Sequence, residues 1–167
     1  GHEVTVAYLT SGNLSVPDGE VQKAVDIMLD LDESDSADKA SFAHRVKADL
    51  AGREAFGEDS PAIRKLKGLV RRGEARAAME ICGVNSSQIR FLNLPFYENG
   101  RFRCFETREE DIDLVRELLE QIQPHQIYVT GVLSEPTTVQ AVCYTCFQKA
   151  FELLRDEDWT KDCRCWS

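Results

Sequence analysis

The sequence predicts an α/β fold in three layers, a parallel sheet covered by helices on both faces, from three observations. Compact runs rich in β-forming residues lie near Val4 to Thr10, Ile89 to Leu94 and Gln126 to Thr130. Stretches whose apolar residues recur at helical spacing alternate with those runs. Strand, helix, strand with right-handed crossovers then makes neighbouring strands parallel. At 167 residues and 43% hydrophobic, the chain is long enough for one domain with a substantial core and short for two.

Val4 to Leu9 is an apolar run, and Thr10-Ser11-Gly12-Asn13 after it is small, polar and turn-prone. Loops at the C-terminal ends of strands line the ligand crevice of open α/β sheets, so Thr10, Gly12 and Asn13 are candidates for substrate contact. A plain turn fits them equally well. Between Asp18 and Asp38 acids crowd together: Asp18, Glu20, Asp26, Asp30, Asp32, Glu33, Asp35 and Asp38 against the single base Lys23. A calcium loop counted from Asp30 fails, because Asp35 stands where glycine belongs and Ser41 where glutamate belongs. Val21, Val25, Met28 and Leu29 have helical spacing instead. The prediction is an acidic helix, a polar break at Asp32 to Asp38 and a second helix through Phe42, Val46 and Leu50. Together they form a helical insertion at about 14–60 that caps the crevice or contacts a neighbour.

Ser60-Pro61 opens the next helix, since the hydroxyl accepts from a first-turn amide and proline there has no amide to waste. Ile63, Leu66, Val70, Ala77 and Ile81 mark its inward face. Gly68 and Gly73 weaken it by roughly 1 kcal/mol each relative to alanine, and Gly83 ends it in the left-handed conformation. After Ile89 to Leu94, Asn99-Gly100 marks a tight turn between short extended pieces that begin at Pro95. Thr107-Arg108-Glu109-Glu110 reads as a capping box for a helix through Ile112, Val115, Leu118, Leu119 and Ile122, which Pro124 stops. Beyond the strand at Ile127 to Thr130, Val139, Val142, Cys143, Cys146, Ala150 and Leu153 share one helical stripe.

A formal net charge of −9 and a sequence pI near 4.9 repel phosphate backbones and anionic bilayers, which argues against nucleic-acid or membrane partners. The basic cluster from Arg64 to Arg76 is interleaved with core positions and reads as a solvated helix face rather than a phosphate-binding stripe. No apolar run reaches 18 residues and no signal peptide precedes Gly1, so a soluble, cytoplasmic protein is expected. Of the six cysteines, Cys143 and Cys146 with Cys163 and Cys165 offer four thiols to zinc, but the first two fall on a core stripe, which favours packing. His2, His44 and His125 have no metal-spaced neighbour and read as structural or solvated.

Arg71-x-x-Glu74, heading an alanine-rich helix that ends in Cys82-Gly83-Val84, resembles the corresponding helix of the LmbE/PIG-L family of metal-dependent de-N-acetylases. Gly1-His2-Glu3-Val4-Thr5-Val6-Ala7-Tyr8-Leu9-Thr10-Ser11-Gly12-Asn13 is similar to the family's second strand and following loop. Pro124 to Gly131 with Leu133-Ser134-Glu135-Pro136 resembles the strand and loop that carry its late histidines. Trp159-Thr160-Lys161-Asp162-Cys163 is similar to a segment of the branch fused to glucosamine-6-phosphate deaminase. The resemblance implies a Rossmann-like sheet and one partial domain over residues 1–167, with the central first strand and its His-Pro-Asp-Asp type motif upstream of Gly1. It also implies hydrolysis of an N-acetyl group on an amino sugar by a zinc-activated water, which needs three protein ligands, an open position and a carboxylate base. The late loop of the fused branch reads Asp-Pro-His-Gly-Thr-His, whereas this chain has Glu135-Pro136-Thr137-Thr138-Val139-Gln140. Thr137 stands at the family's transition-state-stabilising histidine and brings no positive charge. Gln140 stands at the metal-binding histidine, and an amide oxygen is a poor zinc ligand.

No catalytic residue, bound zinc or acetate release is therefore expected of this chain as it stands, which is either a fragment of an amino-sugar N-deacetylase-like hydrolase or a non-catalytic sugar-binding or partner-binding domain of the same fold. The implied substrate-binding residues are Thr10, Gly12, Asn13, Arg71, Glu74 and Glu135. Arg71 with Glu74 is either a pocket arginine held by a carboxylate or a helix-surface pair. The implied partners are an amino sugar or analogue, a fused or associated deaminase domain and a second copy of the chain. With a central strand absent, the isolated chain should be marginally stable or should associate.

Overall fold

The computed structural model describes residues 1–31, 37–54, 57–98, 105–131 and 138–167. They form a mixed α/β protein in two compact units, one comprising Gly1–Thr5 with Ser11–Ile89 and the other Val6–Thr10 with Arg90–Ser167. Among the described residues there are six α-helices and two two-stranded parallel sheets. No helix among them is long and apolar enough to cross a membrane.

The first unit is three helices: α1 (Asp18–Asp30), α2 (Ala37–Gly52) and α3 (Pro61–Ile81). Val21 and Val25 of α1, Ala43 and Val46 of α2, and Ile63 and Leu66 of α3 interdigitate in its core, with Val16 from the preceding loop. Ser60 caps α3 as its sequence requires, its hydroxyl accepting from the Ile63 amide at 3.3 Å. Gly83 (φ 76°) ends the helix in a Schellman arrangement, in which Val84 N–H donates to Met79 O and Gly83 N–H to Glu80 O.

The inward face expected of α3 is only half realised. Ile63 and Leu66 are buried and Val70 is partly buried, but Ala77 is exposed and Ile81 is 88% exposed. A 21-residue helix is about 31 Å long and outruns α1 and α2, which have 13 and 16 residues. Gly73 lies on this overhanging half, and a β-carbon there would meet nothing within 4 Å. Gly73→Ala should therefore raise stability by about 0.5–1 kcal/mol, read as a higher urea midpoint at unchanged slope.

In the second unit β1 (Val6–Tyr8) pairs with β2 (Ile89–Phe91), and β3 (Gln126–Tyr128) with β4 (Arg164–Trp166). Leu92 N–H donates to Tyr8 O and Leu94 N–H to Leu9 O, which extends the first pairing past β2, and the Tyr8 and Phe91 rings stack at 5.3 Å. The regular strands are three residues each, shorter than the apolar runs containing them. β4 aligns parallel to β3 with Gln126 opposite Arg164 and Tyr128 opposite Trp166.

Pro95–Glu98 forms a helical turn, α4, where extended backbone was expected. It buries Phe96 and Tyr97 in a core with Leu94, with Val115 and Leu119 of α5 (Glu109–Ile122), and with Val142, Cys146, Phe147 and Ala150 of α6 (Val139–Leu153). Two expectations shift by one residue. The helix α5 starts after Arg108, with Asp111 rather than Glu110 at its third position. The stripe on α6 closes on Leu154, 3% exposed, while Leu153 is 67% exposed. The Asn99-Gly100 turn lies outside the described residues.

Asp111 is fully buried and holds this core together. Its Oδ1 accepts from Phe96 N–H at 2.9 Å and its Oδ2 from Arg108 N–H at 2.9 Å. One carboxylate at a helix N-terminus, favoured there by the helix dipole, thus satisfies a donor of α4 and the capping donor of α5.

Candidate functional site

The loop after β1 turns at Gly12, whose left-handed backbone (φ 68°, ψ 11°) starts a short 3₁₀ turn over Asn13–Ser15. The turn is closed by Ser15 Oγ, which donates to Gly12 O at 2.8 Å. Ser11 and Asn13 are buried, and the loop packs on α3. Two glycines permit that approach. A β-carbon on Gly68 would lie 3.5 Å from Ser11 Cβ, and one on Gly12 would lie 3.2 Å from Arg71 Nε and 3.4 Å from Arg71 Cγ. The first is ordinary contact, whereas the second is tight and falls where only glycine is comfortable. Gly12→Ala should destabilise by about 1–3 kcal/mol through left-handed strain and displacement of Arg71, and Gly68→Ala should not; paired thermal melts distinguish them.

The structure thus brings together four of the sequence-nominated residues: Gly12, Asn13, Arg71 and Glu74. Arg71 lays its aliphatic stem and Nε over Gly12 while Nη1 donates to Glu74 Oε2 one turn along α3. Their side chains are 47% and 55% exposed, so the ion pair itself contributes only a few tenths of a kcal/mol. Its value lies in position, because the carboxylate holds the guanidinium at the mouth of the loop. Thr10 is half-buried and Gln140 is exposed in the first turn of α6, both in the second unit. Glu135 and Thr137 lie outside the described residues.

Beneath α3 lies a group that sequence reasoning missed. Lys67, 6% exposed, donates to Asp59 Oδ2 at 2.7 Å and pairs with Asp18 Oδ1 at 3.0 Å. Arg53 contacts the other oxygen of each carboxylate, through Nη1 to Asp59 and Nη2 to Asp18. Two cations and two carboxylates close a ring that ties the first turn of α1, the end of α2 and the approach to α3 to the body of α3. The Lys67 hydrogen bond leads the effects that hold the Asp18 carboxyl below its ordinary 3.8, against the opposing effect of burial. Lys67 therefore departs from the solvated face expected of the basic cluster, and Lys65 instead sits over the Phe42 ring at 5.6 Å. The signal available in the sequence was a lysine inside an apolar stripe that begins just after Asp59.

Zinc is tested by the donors present. Among the described residues no three His, Cys, Asp or Glu side chains converge as metal ligands. Burial pushes the Cys143 thiol up to about 12 and the Cys146 thiol up to about 11, with the Asp111 charge adding to both. Cys163 rises to about 11, through burial and then the adjacent Cys165. His2, His44 and His125 are exposed.

No protein-family model matches the chain, and no solved structure matches it. Over 172 aligned residues the chain is 37% identical to a protein of Bacteroides thetaiotaomicron named as glucosamine-6-phosphate deaminase-like, and the match covers 99% of this chain. The chain spans about a quarter, 26%, of that relative's length.

Proposed function

We propose that the chain is an amino-sugar-recognition domain of LmbE/PIG-L type, with a Rossmann-like sheet, acting in glucosamine-6-phosphate metabolism without catalysing deacetylation by itself. One observation carries this reading: the Gly12 loop and Arg71, nominated separately along the sequence, lie against each other on α3. A left-handed glycine lets Arg71 lie close over the loop, and its guanidinium, fixed by Glu74, offers donors to ligand oxygens. Asn13 of the same loop joins these proposed contacts, and Thr10 and Glu135 stand as candidates from the sequence alone. Thr137 and Gln140 lack the charge and the ligand chemistry for the hydrolytic step. The relative's name supports the amino-sugar association, and a deaminase domain in the same polypeptide or complex is the proposed partner.

Calorimetry with glucosamine, N-acetylglucosamine and their 6-phosphates tests this reading. At least one should bind, and Arg71→Met should weaken it at least tenfold while leaving the thermal melt within about 2 °C, since the residue is exposed. No acetate should be released with zinc supplied. Chelator-sensitive acetate release from a chain carrying one zinc would overturn the non-catalytic part, and absence of binding to all four sugars would overturn the recognition part. A partner-binding role draws on a different observation, the exposed Ile27 of α1, Leu31 just after it, and Leu69 and Ile81 of α3. Concentration-dependent association abolished by Ile81→Ser would favour it.

A further inference from the structure

We draw no further inference here: the strongest candidate, the exposed face of the parallel β3–β4 pair where Tyr128 stacks on Trp166 at 6.3 Å beside Gln126 and Arg164, carries no proposal because nothing in the structure shows what covers it.

Discussion

Replacing Asp111 by alanine is expected to cost about 3–4 kcal/mol and to lower the melting temperature by roughly 10 °C. The side chain is fully buried, and its two oxygens accept from two main-chain donors, Phe96 N–H and Arg108 N–H. Alanine removes the acceptor of the buried Phe96 N–H, where a desolvated amide costs about 1–3 kcal/mol, and that of the part-buried Arg108 N–H. Loss of the helix cap adds about 1 kcal/mol. Asp111→Asn keeps one carbonyl oxygen and the volume, so it should lose about half as much. Urea titrations of the three proteins decide the matter. A D111A midpoint equal to wild type would mean that the two amides have other partners.

The second large effect belongs to Lys67. Lys67→Met keeps the length and apolar stem but takes one cation from the ring with Arg53, Asp18 and Asp59, and it should cost about 2–3 kcal/mol. Breaking a buried pair costs about 3–5 kcal/mol when the partner is left alone. Here Arg53 still faces both carboxylates, and Asp18 is 47% exposed and partly rehydrated, so the loss is smaller.

The pH dependence has a definite sign. The Asp18 carboxyl is held below 3.8 in the folded chain, so the unfolded chain takes up its proton first as pH falls. Stability from this group is present in full above its unfolded value and drains away as pH drops through the folded one. The gap between wild type and Asp18→Asn should therefore be constant from about pH 5 to 7 and close below about pH 4. A gap that widened on acidification would contradict the assigned pairing.

The local signals were legible because their physics is local. Ser60-Pro61 and Gly83 bound α3 through capping chemistry that depends on a few adjacent residues, and Val21, Val25, Phe42 and Val46 announced two helices by their spacing. The Gly12 loop was nominated from its place after an apolar run, and Arg71 from its resemblance. Tertiary structure alone put the two in contact, because they are separated by some sixty residues of chain and meet only when the loop packs on α3. It also decided that Lys67 is buried rather than solvated, that Ala77 and Ile81 overhang the core, and that Asp111 rather than Glu110 caps α5. It likewise decided that Arg164–Trp166, with no pattern of its own, becomes a strand by hydrogen-bonding to β3. Spacing states which side chains share a face, but the length and position of the packing partner settle how much of that face is covered. Buried charge is settled in the same way, by counter-charges that arrive from distant turns.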